Sequence, residues 1–359
     1  MRSMEKRWMR LALAEASKAL GNTHPNPAVG AVIVRDGMVL GKGFTQACGG
    51  NHAEIEALHD AGGDVKGATL YVTLEPCASE GRTPACSASI IPSGIKKVVI
   101  ASSDPNPAMA GGAKLLEDAG IEVVTGVCQD EADSLNRPFF HYIKTNMPWV
   151  IAKAAISLDG KVATRTKHSQ WISGVESRKH AHGVRALCDA IVVGVGTLVL
   201  DNPSLTVRDA QIVGKPPLRV ILGKHAPKMF TDCKLLSDEA PSRFYIIHDN
   251  DDAKAWRDWG MEVVLVDNYE AAFKHLAEDG CLQVLLEGGG KLHAACLEHR
   301  ISNELLLYQA PILIGGVEAM SFWHGLGVAT MQDAVRIEHI EYQPLGDDML
   351  IHGDIVYPA

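Results

Sequence analysis

Ala68-Thr69-Leu70-Tyr71-Val72-Thr73-Leu74-Glu75-Pro76-Cys77 is the stretch on which the reading of this chain turns. Residues 68–74 read as a buried strand that ends at Glu75-Pro76-Cys77. Upstream stands His52-Ala53-Glu54, with His52 opening a helix that runs to about Gly62. Downstream stands Cys86, inside a helix expected over about 84–92. Zinc prefers nitrogen and thiolate ligands in a tetrahedron, and a catalytic zinc leaves one position open for water. His52, Cys77 and Cys86 fill three positions. Glu54 lies two residues from His52 and is free to carry protons. Both His52 and Cys77 are expected where a strand or loop feeds a helix start, whose partial positive charge favours a thiolate. A structural zinc, or none, is the plainer reading of each fragment alone. The order of the fragments and their strand–helix setting favour a catalytic metal.

Working outward, residues 4–20 carry apolar side chains at near-helical spacing, and Gly21 stops that helix. Residues 22–27 form a loop, in which His24 reads as an anchor. Residues 28–34 and 38–44 read as a hairpin around Asp36-Gly37. Strands follow over 97–101 and 121–125, with a helix over 112–119 between them. Residues 130–145 look helical and lead to Asn146-Met147-Pro148, where the domain boundary is placed. The expected domains are 1–146 and 147–359. The second half restarts the alternation. Strands are expected over 149–156, 190–195, 218–222, 243–247, 262–266, 283–286, 304–309, 335–342 and 349–356. Helices are expected over 176–187 and 271–278, and from the Gly288-Gly289-Gly290 run to about His299. Strands alternating with helices indicate a layered α/β protein.

Composition agrees with two such domains. The chain has 359 residues, beyond the usual size of one core, and 47% are hydrophobic. Net charge is −9 with no basic stripe, which argues against nucleic acid as the main partner. Eight scattered cysteines lack a disulfide framework and suit a reducing compartment. No apolar signal core or run of 18 apolar residues occurs, so a soluble, cytoplasmic protein away from membranes is expected.

The zinc deaminases of nucleobases share this His-x-Glu and two-Cys arrangement: activated water attacks an amidine carbon, and the non-ligand Glu shuttles protons. Three runs narrow the resemblance. They are Thr23-His24-Pro25-Asn26-Pro27-Ala28-Val29-Gly30, then His52-Ala53-Glu54, then Glu75-Pro76-Cys77 with Gly81-Arg82-Thr83-Pro84-Ala85-Cys86. Together they resemble the bifunctional riboflavin-biosynthesis deaminase–reductase family. Eight residues separate the two cysteines, where cytidine and tRNA-adenosine deaminases carry two. Asp104-Pro105-Asn106-Pro107 with Gly111-Gly112 also fits. The resemblance implies a small pyrimidine ribose-phosphate substrate, 2,5-diamino-6-(5-phosphoribosylamino)pyrimidin-4-one, losing its 2-amino group. It implies that Asn26 contacts the pyrimidine or ribose and that Arg82 meets the phosphate. Two positions depart from the family: Thr45 and Ser79 stand where histidines are usual. Exchange between hydrogen-bonding residues is the favoured reading, and a shifted substrate preference is the alternative.

The second half resembles the reductase domain of the same family. The matching runs are residues 153–161, 169–173, 187–190, 194–197, 201–208 and 286–290. The implied architecture is an N-terminal cytidine-deaminase-like three-layer domain followed by a dihydrofolate-reductase-like domain. Glu287-Gly288-Gly289-Gly290 follows a strand and opens a helix, a setting in which backbone N–H groups can approach a phosphate. A Rossmann fingerprint is absent, because Gly194-x-Gly196 is followed by Val199 rather than a third glycine. The resemblance therefore implies a non-Rossmann NADPH site, beside the Zn2+ of the first half. It places Ala155, Trp171, Thr197, Asp201, Gly289, Gly290, Lys291, Leu292, His293, Ala294 and Ala295 at NADPH. It places Lys153, Ser169, Arg185, Leu205, Arg208 and Glu287 at substrate. Without it, Trp171 reads as core, Asp201 as a turn and Arg185 as a solvated helix face. Apolar strands near the C-terminus are compatible with a homodimer or tetramer. The competing readings are a zinc nucleobase deaminase with a binding-only second half, and a structural zinc protein.

Overall fold

The structure, a computed structural model, describes residues 2–81 and 84–358. The chain forms two compact units, Met1–Asn146 and Met147–Ala359. The first unit runs α1 (Arg2–Ala16), β1 (Gly30–Arg35), β2 (Met38–Phe44), α2 (Ala53–Ala61), β3 (Thr69–Leu74), α3 (Cys86–Ile90), β4 (Lys97–Ser102), α4 (Gly112–Asp118), β5 (Glu122–Val124), α5 (Gln129–Leu135) and α6 (Arg137–Thr145). Its sheet has the order β2-β1-β3-β4-β5. The β1–β2 and β1–β3 pairs are antiparallel, while β3, β4 and β5 run parallel. The hairpin closes through Asp36 and Gly37, both at positive φ, as a two-residue turn requires.

Side-chain alternation along β1 builds the layers. Val32 and Val34 face Trp8, Met9, Ala12 and Leu13 of α1. Glycines 41 and 43 of β2 pair with Ile33 and Ala31 on the opposite face. A Cβ on either would lie 2.3–2.4 Å from a carbonyl oxygen of α2, so these glycines let α2 rest directly on the sheet. One helix was expected over 130–145. Two form, α5 and α6, and Asn136 breaks them at φ −107°. Its buried side chain turns into the loop before β1. There Oδ1 accepts the Ala28 N–H at 2.8 Å, and Nδ2 donates to the Ala28 carbonyl at 3.0 Å. That clasp holds the loop carrying Asn26.

The second unit runs β6 (Trp149–Ser157), β7 (Lys161–Ala163), α7 (Val175–Leu187), β8 (Ala190–Gly194), α8 (Val195–Asp201), β9 (Leu218–Gly223), β10 (Ser242–Ile246), α9 (Asp251–Asp258), β11 (Glu262–Leu265), α10 (Tyr269–Glu278), β12 (Gln283–Leu286), α11 (Gly290–Glu298), β13 (Glu304–Ala310), β14 (Met320–Ser321), β15 (Arg336–Leu345) and β16 (Asp348–Val356). Nine strands form one sheet, in the order β11-β10-β9-β8-β12-β6-β13-β16-β15. Strands β11 to β13 in that order are parallel, and β16 and β15 add antiparallel strands at one edge. The central strands are apolar on both faces. Val150, Val192, Val220 and Val284 meet α10 and α11, while Ile191, Val193, Ile221 and Phe244 meet Trp256 of α9. Helices α8 and α9 were not expected from the sequence. The start of α8 reads as a glycine turn, and α9 turns only Ala253 and Trp256 fully inward.

Helix α7 has no side-chain cap of its own at Gly174. Asp348, the first residue of β16, supplies one. Its Oδ2 accepts the Gly174 N–H at 2.7 Å and the Ser177 hydroxyl at 2.6 Å. Replacing Asn136 by alanine removes two buried bonds. The expected loss is about 2–3 kcal/mol from the first unit, read by urea unfolding.

Candidate active sites

In the first unit, three ligand groups meet. The donor atoms of His52, Cys77 and Cys86 all lie within 4.8 Å of one another, and among the described residues they are the one His/Cys/Asp/Glu group so placed. His52 Nδ1 is 3.1 Å from Cys86 Sγ and 3.7 Å from Cys77 Sγ. A tetrahedral zinc would hold such donors roughly 3.5–3.8 Å apart; the Cys77 separation matches, the Cys86 one is shorter, and the donor types suit zinc. His52 is the N-cap of α2, and Cys86 is the first residue of α3. This corrects the expectation for Cys77, which ends the β3 connection and opens no helix. The helix reaches it through space instead, because the Cys86 N–H donates to Cys77 Sγ at 3.1 Å.

The protonation states suit a cation. The Cys86 side chain, then His52 and the Cys86 amide, outweigh burial and draw the Cys77 thiol down to about 4. Cys86 is pushed up by the adjacent Cys77 sulfur and by burial. A bond to Cys77 raises His52. Two sulfurs and an imidazole thus compete for protons, and a divalent ion relieves that competition. Glu54, 4% exposed, is raised chiefly by burial, which suits a group that takes and returns a proton.

A cavity of about 450 Å³ opens on this cluster. Its lining includes Asn26, Thr45, His52, Glu54, Glu75, Cys77, Ser79, Asp104, Asn106, Phe139 and Tyr142. Arg82 lies outside the described residues. Asp104 and Asn106 belong to the family-like run Asp104-Pro105-Asn106-Pro107, to which the sequence assigns no role at the site. Here they line the cavity on a loop that Glu75 fastens, through the N–H groups of Asp104, Gly111 and Ala113 at 3.0–3.2 Å. Burial lifts the Asp104 carboxyl to about 6. A Cβ on Gly112 would stand 1.7 Å from the Pro76 carbonyl oxygen, so this glycine lets α4 abut the strand end that carries Cys77. Thr45 is buried, and its Oγ1 accepts the Val29 N–H at 3.1 Å, so its hydroxyl serves the fold. Ser79 is exposed.

The second unit holds a cavity of about 320 Å³ at the carboxyl ends of β8, β9 and β12. Ser169, Thr197, Asp201, Glu287, Gly289, Lys291 and Leu292 line it, with Gly194, Gly196, Lys167 and Tyr269. Helices α8 and α11 both start there from glycine N-caps without side-chain caps, leaving backbone N–H groups for an anion. A Cβ on Gly290 would lie 2.3 Å from the Ser321 carbonyl oxygen, which keeps that turn glycine-only. Asp201 ends α8 and accepts the Ser169 hydroxyl at 3.3 Å. These features fit the phosphates of a nicotinamide dinucleotide.

A smaller chamber of about 100 Å³ is lined by Lys153, Trp171, Ser173, Ser177, Arg178, Ala181, His182, Arg185, Arg208 and Tyr308. Arg178, His182 and Arg185 share one face of α7, a spacing readable in the sequence and passed over there. Arg185 is no solvated face. It forks onto Glu287 at 2.7 and 2.6 Å and donates to the Thr206 carbonyl at 2.9 Å. Burial alone would raise Glu287, but the Lys153 and Arg185 charges outweigh it and hold the carboxyl below its ordinary range. Trp171 is exposed under the Arg178 guanidinium, 4.8 Å from its ring centroid, and is not core. Leu205, His293 and Ala294 are buried. They line neither this chamber nor the larger cavity, and the same holds for Ala155, Gly290 and Ala295.

Family models bear on both units. Residues 2–102 match the cytidine and deoxycytidylate deaminase zinc-binding region, which spans His52, Cys77 and Cys86. Residues 148–351 match the RibD C-terminal domain. The riboflavin biosynthesis protein RibD of Aquifex aeolicus is 40% identical over 354 residues, 98% of each chain. The chain belongs to the RibD family of riboflavin biosynthesis proteins. The RibD protein of Bacillus amyloliquefaciens is also 40% identical, over 99% of each chain. Among solved structures, Acinetobacter baumannii RibD aligns with a TM-score of 0.89 at 33% identity over 99% of both chains. A diaminohydroxyphosphoribosylaminopyrimidine deaminase/5-amino-6-(5-phosphoribosylamino)uracil reductase from Thermotoga maritima aligns with a TM-score of 0.88, also at 33% identity. The RibD fold is therefore a cytidine-deaminase-like unit followed by a dihydrofolate-reductase-like unit, as expected. No helix among the described residues is long and apolar enough to cross a membrane.

The Arg185–Glu287 pair generates a stability expectation. Glu287→Ala leaves Arg185 buried without its partner and should cost the second unit about 3–5 kcal/mol, measured by denaturant unfolding.

Proposed function

We propose that this chain carries out two steps of riboflavin biosynthesis. Residues 1–146 deaminate 2,5-diamino-6-(5-phosphoribosylamino)pyrimidin-4-one. Residues 147–359 then reduce its ribosyl chain to ribityl with NADPH, giving 5-amino-6-(5-phosphoribitylamino)uracil. The observation that carries the reading is the His52–Cys77–Cys86 cluster with the buried, non-ligand Glu54 beside it, at one cavity.

His52, Cys77 and Cys86 hold the zinc. When bound, the ion makes a water acidic enough to lose a proton near neutral pH. Glu54 takes that proton and returns it to the departing ammonia. Asn26 orients the pyrimidine or ribose, and Arg82 meets the phosphate, for which a guanidinium fork is suited. The matched zinc-binding region and the family membership support these roles.

In the second unit, Thr197, Asp201, Gly289, Lys291 and Leu292, which line one cavity, bind the nicotinamide cofactor. Bound NADPH supplies a hydride, and the protein positions it. Lys167 and Lys291 line the same cavity, which suits a dinucleotide with an additional phosphate. Lys153, Ser169 and Glu287 contact the substrate, and Arg185 and Arg208 meet its phosphate. The cationic chamber matches that anion. A small-molecule enzyme rather than a nucleic-acid binder fits the net charge of −9. Eight scattered cysteines without a disulfide framework in the sequence support a cytoplasmic setting. The exposed Ile340 and Tyr342 of the edge strand β15 suit a homodimer or tetramer.

The assay supplies the pyrimidine phosphate with and without NADPH, and follows ammonia and nicotinamide absorbance. Both signals are expected; ammonia without NADPH oxidation would remove the reductase half. Cys86→Ala should leave the purified protein with little zinc by atomic absorption. Glu54→Ala should keep the zinc and lose deamination by about 10²-fold or more, while reduction of the deaminated intermediate continues.

A further inference from the structure

Reduction of the ribosyl chain consumes a hydride and a proton, and the roles above leave the proton without a source. The cationic chamber narrows the choice. Its guanidinium groups are too basic to release a proton at neutral pH. Ser177 already donates its hydroxyl to Asp348 at 2.6 Å. His182 Nδ1 lies 3.2 Å from the Arg208 amide and accepts it, and burial with the Arg185 and Arg208 charges keeps that imidazole neutral. Lys153 supplies positive charge beside Glu287.

Tyr308 of β13 differs from all of these. It stands opposite Ala155 in the register of β6, so its side chain shares the face that carries Lys153. It is buried and lines the chamber. Its hydroxyl lies 2.8 Å from Nδ1 of His180 on α7. His180 is only partly buried. The Lys153 ammonium is 5.7 Å from the Tyr308 ring centroid. Burial raises the Tyr308 hydroxyl and lowers His180, so both rest neutral, with the phenol protonated.

We propose that Tyr308 is the proton donor of the reductive step and that His180 reloads it. The inference rests on the reductase reading given above. In the ring-opened substrate, C1′ is doubly bonded to the side-chain nitrogen. C1′ accepts the hydride, the π bond breaks, and its electron pair takes the Tyr308 proton at nitrogen. The phenolate then takes the Nδ1 proton of His180 as Nε2 takes one from solvent. The imidazole ends neutral as its other tautomer, and Lys153 steadies the phenolate while it lasts.

The test uses the full-length zinc-loaded protein and the deaminated pyrimidine phosphate with NADPH. Tyr308→Phe should lower the reductase kcat on the order of a hundredfold, with ammonia release by the first unit unchanged. Its KM, and its calorimetric affinity for the ribityl product without any cofactor, should stay within about threefold of the parent protein. The ¹⁵N resonances of the His180 ring should move in the same variant, again without cofactor. His180→Ala should lose activity that added imidazole restores. A Tyr308→Phe protein with kcat within about threefold of the parent overturns the relay, and so does one that loses product affinity in step with activity. If Tyr308→Phe does not fold, His180→Ala decides alone, and failure of imidazole to restore it overturns the proposal. A parent protein that oxidises no NADPH overturns the reductase reading itself.

Discussion

Parallel strands put all of their carboxyl ends on one edge of a sheet, and both sites of this protein grow from that constraint. In the first unit, β3 delivers Cys77 and β4 delivers Asp104 to the same edge. In the second, β8, β9 and β12 deliver Gly194, Gly223 and Glu287 to one cavity. The helices that follow begin at that edge, so their unpaired N–H groups point toward it. Residues distant in sequence become neighbours because their strands are adjacent. Backbone polarity and the ends of the strands thus arrive together, before any side chain is chosen.

Charge is then handled in opposite ways. In the second unit, burial of Glu287 is offset by Lys153 and Arg185, and the carboxylate stays ionised. The pair orients Arg185 toward the chamber at the cost of desolvating both groups. In the first unit, burial of Glu54 outweighs its backbone bond and the His52 charge, and its carboxyl is pushed up. One carboxyl is held ionised and the other is pushed toward its protonated form. Their surroundings, rather than their chemistry, separate the roles.

Much of the fold could be read from pattern. The alternation of strands and helices, the hairpin at Asp36-Gly37 and the N-terminal start of α2 at His52 follow from local rules of turn chemistry and periodicity. The break at Asn136 could not be read. Its cause is a bond to Ala28, 108 residues away. Helix α8 hid behind glycines, and α9 behind a face with few buried residues. At the sites, the metal cluster was legible because its ligand types are chemically narrow. Arg178, His182 and Tyr308 were not, because arginine, histidine and tyrosine serve many surfaces and only packing gathers them.

The sequence by itself determined the metal chemistry. Zinc accepts few donor types, and three of them with a free carboxylate stand near one buried strand, so residue identity was sufficient. It also determined the α/β class, since hydrophobic period is a local property. Tertiary structure decided what each remaining group does. It placed the amide of Cys86 on the sulfur of Cys77, turned Arg185 from a helix face into the partner of Glu287, and set Tyr308 against His180. Those outcomes depend on which strands lie side by side and on burial, and neither is written in any local stretch of the chain.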